Sequence, residues 1–284
     1  ISVYEGKKFT FDTIYVGGDQ VVRREDLTTL VDIVPGEVFS RKRLTGLTQK
    51  IIDRLGEEGY ANASVNPVPE KDIDEFKIGF TLYVNSGQRV YVRRININGN
   101  SDTKDEVVRR ELRQMEGSWY SVKDINRSKQ RLDLLGFFSE VTINTTPVPG
   151  TADQVDLEVK VVERMTGSFS IGVGFSSADR LLLQLSMAQS NFLGTGNSVN
   201  LVASTGKVNE TYELGFTDPY ATDDGVSRTY KFGKRDTDVS SLVVSAFSSS
   251  TESASINFGV PLTEYDRIFY GVGYEQTGIT LGLN

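Results

Sequence analysis

The sequence predicts two α+β modules in tandem, each of order β-α-α-β-β, followed by the strands of an antiparallel transmembrane β-barrel. Three observations predict this. The first half repeats itself at a fixed offset, which marks duplicated modules. Charge density then falls at Met165-Thr166-Gly167: residues 1–165 hold 24 Lys/Arg and 26 Asp/Glu, against 7 and 12 in residues 166–284. Beyond that seam the pattern changes to short stretches of strict alternation with hardly any helix signal.

The repeat runs at an offset of 81 residues. Val3, Gly6, Ile14 and Gly18 meet Val84, Gly87, Ile95 and Gly99, and Gly36, Phe39 and Ser40 meet Gly117, Tyr120 and Ser121. The offset slips to 77 at Gly59-Tyr60 against Gly136-Phe137, as a helix shortened by four residues requires. Pro67-Val-Pro69 mirrors Pro147-Val-Pro149. The expected boundaries are 1–7 for the tail of a preceding module, 8–87 and 88–163 for two modules, and 164–284 for barrel strands.

Phe9–Val16 and Val90–Ile97 alternate and are rich in β-branched and aromatic residues, so each opens its module as a strand. Gly17-Gly18-Asp19 and Asn98-Gly99-Asn100 are turns. In the second module Ser101 or Asp102 caps a helix expected to run to about Met115, with Val107, Val108, Leu112 and Met115 at helical spacing and Gly117 as its stop. Ser121 opens another helix, with Ile125, Leu132 and Leu135 on one face and Gly136 at its end. Ser139–Thr145 and Val155–Val162 close the module as strands. Each small sheet has edges that need protection or serve to dock an added strand.

After the seam, Phe169, Ile171, Val173 and Phe175 face one way, and Ser168, Ser170, Gly172 and Gly174 the other. Leu181, Leu183, Leu185 and Met187 continue the pattern, as do Tyr212, Leu214 and Phe216, then Ile256 and Phe258, then Tyr270, Val272 and Tyr274. Seven or eight strands of 8–10 residues are expected. Alternation alone also fits a soluble sandwich. The small polar residues on the inner face, the aromatics near strand ends and the strand length favour a membrane barrel. No apolar run is long enough for a membrane-crossing helix, and a barrel needs none.

Composition narrows the function. A net charge of −7 and a pI near 4.9 argue against nucleic acid as partner. There is no Cys and no His, which removes thiolate chemistry, the commonest general base and the commonest metal ligand. No enzyme, cofactor or metal is expected. Asp218, Asp223 and Asp224 fit a polar turn better than a calcium loop. Gly194-Thr-Gly196 and Gly271-Val-Gly273 precede no helix, so they are not dinucleotide loops.

Several segments carry a specific resemblance. Arg109-Arg-Glu-Leu-Arg-Gln-Met-Glu-Gly-Ser-Trp119, Arg131-Leu-Asp-Leu-Leu-Gly-Phe-Phe138 and Pro149-Gly-Thr-Ala-Asp-Gln-Val-Asp156 closely resemble the last POTRA domain of the POTRA-containing outer-membrane barrel family of assembly factors. Glu163-Arg-Met-Thr-Gly-Ser-Phe169, Asn191-Phe-Leu-Gly-Thr-Gly196 and Asp218-Pro-Tyr220 look like the opening strands of that family's barrel. The resemblance covers essentially the whole chain. It implies POTRA modules in the periplasm and a barrel that inserts unfolded outer-membrane β-barrel proteins into the bacterial outer membrane. It also implies accessory outer-membrane lipoproteins as partners, and the lipid bilayer itself.

The family barrel has about sixteen strands, and its Val-Arg-Gly-Phe loop motif is absent here. The chain is therefore expected to be a fragment, trimmed at Ile1 and ending part-way through the barrel at Asn284.

The resemblance places the barrel seam at the first strand, and the expected substrate-templating gate is Phe169, Ile171, Gly172, Val173, Gly174 and Phe175. Glycines within a strand weaken its packing. The charged run at Arg109, Arg113 and Glu116 is the expected lipoprotein dock. The reason is that Glu116, at the end of the predicted helix, would sit against the helix dipole; a solvated helix face is the plainer reading of such a run. Two alternatives stand beside insertion. One is a two-partner-type secretion transporter, which shares POTRA modules. The other is a surface enzyme, which the missing His and nucleophile motifs weigh against.

Overall fold

The computed structural model describes residues 7–19, 21–239 and 247–281. The expected tail at 1–7, and the repeat matches at Val3 and Gly6, fall almost wholly outside them. The chain forms two compact units. One comprises the residues up to Asn98 with Glu111–Leu134 and Glu140–Val161; the other comprises Gly99–Arg110, Leu135–Ser139 and everything from Val162.

The first module runs β1 (Thr10–Gly18), α1 (Arg24–Thr28), α2 (Arg41–Glu57), β2 (Ser64–Asp72) and β3 (Lys77–Asn85). Its sheet has the order β1-β3-β2, with β1 parallel and β2 antiparallel to β3. Ser40 caps α2 by accepting from the Arg43 N–H, as a hydroxyl at that position does. Leu44, Leu47, Ile51 and Leu55 then recur on one helix face and are buried. They meet Phe11, Phe80 and Leu82 of the sheet in one core. Burying side chains of this size stabilises by about 1.5–3 kcal/mol each.

The second module repeats the order with β4 (Tyr91–Asn98), α3 (Asp105–Arg109), α4 (Val122–Leu135), β5 (Phe138–Pro147) and β6 (Gln154–Glu163), in sheet order β4-β6-β5. The second helix matches expectation: the Ser121 hydroxyl accepts from the Asp124 N–H, and Gly136 ends it at positive φ. The helix expected to reach Met115 does not; α3 stops at Arg109, and its N-cap is Lys104 with no side-chain cap. Side chains explain the early stop by satisfying backbone groups outside any helix. The Ser128 hydroxyl accepts from the Arg113 N–H at 2.7 Å. The buried Gln114 side chain donates to the Trp119 carbonyl and accepts from the Ser121 N–H.

The modules are joined within the first unit by backbone. Val90 N–H donates to the Gly59 carbonyl, and Arg89 Nε to that of Glu58. Arg89 also lies over the Trp119 ring, 4.1 Å from its centroid, and Trp119 stacks on Tyr91 at 3.9 Å.

Seven strands follow among the described residues: β7 (Gly167–Ser176), β8 (Arg180–Phe192), β9 (Asn197–Thr205), β10 (Asn209–Asp218), β11 (Ser227–Asp238), β12 (Phe247–Pro261) and β13 (Arg267–Leu281). They form one antiparallel sheet in chain order. Phe169, Met187, Leu201, Leu214, Phe232, Ala254 and Tyr274 lie in register across it. One residue along, the other face presents Ser170, Ser186, Val202, Glu213, Gly233, Ser253 and Glu275. An apolar row beside a mostly polar one is the lipid/lumen pattern of a membrane barrel.

Several strands exceed the expected 8–10 residues, β12 and β13 reaching 15 each. Part of their extra length is polar: Ser250 bonds Asp236 and Thr251 bonds Thr277. Backbone pairing continues beyond this to Phe247 with Leu281.

One buried ion pair tests the second module. Glu111 is only 4% exposed, and its Oε2 lies 2.6 Å from Arg131 Nη2. Breaking such a pair strands a buried charge, so Glu111→Ala is expected to cost about 3–5 kcal/mol. Trp119 is the chain's single tryptophan and lies in this module, so urea unfolding followed by its fluorescence reads the loss there.

Candidate gate strand and its root

β7 is an outer strand of the sheet and has one neighbour, β8, among the described strands. Phe169, Ile171, Val173 and Phe175 project from one face with 65–83% exposure. Gly172 and Gly174 sit on the other face, where an added Cβ would come no nearer than 3.6 Å to Gln184 and 3.8 Å to Leu182. Crowding therefore does not force either glycine. Their effect is thin packing and a freer backbone in an edge strand.

The root of β7 is held firmly. Arg164 donates from its backbone N–H to the Phe137 carbonyl and from Nε to that of Gly136. Thr166 accepts from Gln189 Nε2 at its hydroxyl and from the Ser190 N–H at its carbonyl. Just before the seam, the Glu163 carboxylate accepts from the backbone N–H groups of Asp102 (3.0 Å) and Thr103 (2.6 Å). Thr103 in turn accepts from Asn191 Nδ2 at 2.8 Å, while Asn191 Oδ1 takes the Gly196 N–H at 2.7 Å. Lys104 N–H donates to the Gly194 carbonyl. The Arg110 guanidinium lies 4.3 Å from the Tyr220 ring centroid, a cation–π distance.

Two glycines make this approach possible. Gly194 and Gly196 have φ of +70° and +77°, where an L side chain is strained. A Cβ on Gly194 would strike the Asp102 carbonyl oxygen, and one on Gly196 the Arg110 guanidinium. A cavity of about 270 Å³ remains at the root, lined by Asp102, Phe137, Glu163, Arg164, Thr166 and Gln189 among others.

Burial would raise the Glu163 pKa, but hydrogen bonds from the Thr103 side chain and the backbone of Asp102, Thr103 and Ser101 outweigh it and hold the pKa below its usual value. The residues flanking Met165–Gly167 are thus tied by hydrogen bonds within the second unit. Residues 99–110 and 135–139, expected to belong to the second module alone, cluster with the sheet.

The sequence singled out Asn191–Gly196 by its resemblance to the family's opening barrel strands. It gave no signal for Glu163 with Thr103, which stand 60 residues apart, nor for Arg110 with Tyr220. Asp218 accepts the Tyr220 N–H in a local turn, and no cluster of metal-ligand type occurs among the described residues.

The three candidate docking residues do not share a helix face. Arg109 ends α3 and pairs with Asp105 at 2.7 Å. Arg113 lies in the irregular segment beyond. Glu116, expected to oppose a helix dipole, is outside any helix, and its Oε1 takes the Ile95 N–H at 2.7 Å. The dipole argument for Glu116 therefore fails.

α+β modules followed by an alternating antiparallel sheet define a class: membrane-barrel proteins that carry such modules ahead of the barrel. The POTRA family (surface antigen variable number repeat) matches residues 9–87 and 90–164, and the Omp85 superfamily domain matches 191–282. The chain belongs to this POTRA-bearing Omp85 superfamily.

It is 38% identical over 279 residues to the outer membrane protein assembly factor BamA of Neisseria meningitidis serogroup B, covering 97% of this chain and 35% of the relative. The crystal structure of BamA from Haemophilus ducreyi lacking POTRA domains 1–3 superposes with a TM-score of 0.80 at 32% identity, over 96% of this chain and 52% of that one. CdiB from Escherichia coli matches with a TM-score of 0.52 at 16% identity, over 98% of this chain and 52% of that one, a likeness of fold alone. The chain spans about a third of the meningococcal relative's length and about half of the Haemophilus ducreyi structure.

Two outcomes test the root. Gly194→Ala forces a side chain onto the Asp102 carbonyl and is expected to cost at least about 1–3 kcal/mol, read as lost amide protection over residues 101–104 by hydrogen exchange. The depressed Glu163 pKa means its contribution is complete above the unfolded value near 4.5 and is lost as pH falls through the lower folded value. Protection of the same amides, corrected for intrinsic rate, should fall with acidification below about pH 4.5. In Glu163→Gln it should be weaker at neutral pH and flatter across that range.

Proposed function

We propose that the chain serves the assembly and insertion of β-barrel proteins into the bacterial outer membrane, with its POTRA modules in the periplasm. One observation carries the reading: β7 is a glycine-bearing edge strand whose root is clamped while its outer edge offers backbone pairing. In lipid, each unpaired N–H or C=O costs several kcal/mol. An unfolded strand that pairs with β7 as it enters satisfies those groups at once by strand addition. Burial and folding of the incoming chain then supply the free energy, so no nucleotide, metal or catalytic side chain takes part.

The proposed template is Phe169 to Phe175, with the apolar side chains toward lipid and Gly172 and Gly174 permitting strand exchange. Accessory lipoproteins are the proposed partners of the run Arg109–Glu116. Arg109, with about half its side chain exposed, is the residue to reverse in testing this, because Glu116 is engaged with the Ile95 backbone.

Cysteines placed one at a time at 169–175 should crosslink to a stalled barrel substrate, while positions on β10 should not. No crosslink at any β7 position, with the protein folded and expressed, would overturn the reading. The secretion-transporter alternative predicts export of one dedicated substrate from reconstituted vesicles, with no assembly of an unrelated barrel protein.

A further inference from the structure

The apolar face of the membrane sheet carries two cations among the described residues, Arg228 and Lys234, both on β11. The chain treats them differently. Lys234 has a carboxylate of its own, with Nζ 3.5 Å from Asp236 Oδ2. No hydrogen bond or ion pair reaches the Arg228 guanidinium among the described residues. Its Nε is fully covered, while its terminal nitrogens stay accessible. The Tyr230 ring centroid lies 5.4 Å away, a cation–π contact that leaves those donors unused.

Position shows what surrounds this cation. Across the strands Arg228 pairs with Asp218 on one side and Phe258 on the other, and Phe258 pairs with Tyr270. The row stands two positions beyond Phe216, Tyr230, Ile256 and Val272, so it shares their apolar face. It lies at the end of the sheet where β7 begins. Here that face passes from apolar to charged, and the Phe258 and Tyr270 rings stack at 5.5 Å. Aromatic rings beside charge at the end of the apolar band mark the headgroup level of a barrel. With the modules in the periplasm, this is the periplasm-facing leaflet.

Asp218 is the second half of the site. Direct partners in an antiparallel pair have Cα atoms about 4.5–5.5 Å apart, so an ion pair with Arg228 is within reach. The structure does not make it. Asp218 Oδ1 accepts the Tyr220 N–H at 3.0 Å, and Oδ2 makes no bond among the described residues. A bare anion on Arg228 would be repelled by Asp218, and a bare cation on Asp218 by Arg228. A molecule carrying both charges on a short spacer answers both.

We propose that Arg228 and Asp218 form a headgroup site for a zwitterionic phospholipid with a primary ammonium. The phosphate meets the terminal nitrogens of Arg228, in the forked geometry that guanidinium offers. The ammonium donates to Asp218 Oδ2, and the acyl chains lie beside Tyr230 and Phe216. The proposal rests on the strands spanning the outer membrane and is independent of the assembly function proposed above.

Native mass spectrometry of the full chain, released from detergent micelles, counts the lipid it keeps. Three lipids with the same acyl chains are offered. Phosphatidylethanolamine has phosphate and ammonium; phosphatidylcholine has a methylated ammonium without N–H; phosphatidylglycerol has phosphate alone. The chain should keep the first at least about tenfold more than either other, as the loss of one charge-assisted hydrogen bond implies. This comparison needs no change in the protein. Arg228→Gln should lower retention of all three about tenfold. Asp218→Asn should bring phosphatidylethanolamine down to the level of phosphatidylcholine and leave the other two unreduced. Lys234→Gln, on the same face, should alter none.

Equal retention of the three lipids by the unaltered chain, or no response to Arg228→Gln in a folded variant, would overturn the proposal. Glycerophosphoethanolamine, the same headgroup without acyl chains, and inorganic phosphate should not displace the lipid at equal concentration. Displacement by either would make this a site for a soluble ligand and reject the lipid as its occupant.

Discussion

The constraint on which this structure depends is that a backbone amide at a sheet edge must find a partner. The cost of failing is modest in water and several kcal/mol in lipid. The chain meets it with four devices. Its own segments lie along β1 and β4, where the Phe11 and Val92 N–H groups donate to the Glu37 and Ser118 carbonyls. Pro67 and Pro69 bring no donor to β2. A carboxylate takes a single amide at Ile95. Seven-strand pairing satisfies the interior of the membrane sheet. Among the described strands, β5 in one unit and β7 and β13 in the other keep an outer edge without a partner strand.

The same accounting explains how far the sequence could be read. The repeat pointed to both modules, and periodicity found α4 and the alternating strands, because burial on one face leaves a repeating trace in residue order. It failed where a side chain overrode local preference. The apolar spacing Val107, Val108, Leu112 looks helical, and all three are buried. Yet Ser128 and Gln114 hold the backbone after Arg109 in another path. Ser128 lies fifteen residues from Arg113, so a local window cannot see the competition. The repeat also concealed a difference: Pro67-Val-Pro69 and Pro147-Val-Pro149 align by identity, and only the strand boundaries show that the first lies inside β2 and the second begins where β5 ends.

The site was legible in part. The alternation of Phe169 to Phe175 is visible as a pattern, and Asn191–Gly196 is visible by resemblance. The root beneath them is not, because it is made by pairs such as Glu163 with Thr103 and Arg110 with Tyr220 that no spacing rule connects. Glu116 shows the converse risk. A charge that looks misplaced on a predicted helix turns out to be well placed once the helix is absent.

The clustering of Gly99–Arg110 and Leu135–Ser139 with the membrane sheet has a consequence for how such proteins change over time. The two modules repeat one pattern, but only the first lies wholly within a single compact unit, around its own core. In the second, the first connecting loop, the short helix and the start of β5 belong to the same compact unit as the sheet. A change at any of these residues therefore meets the sheet's packing as well as the module's own.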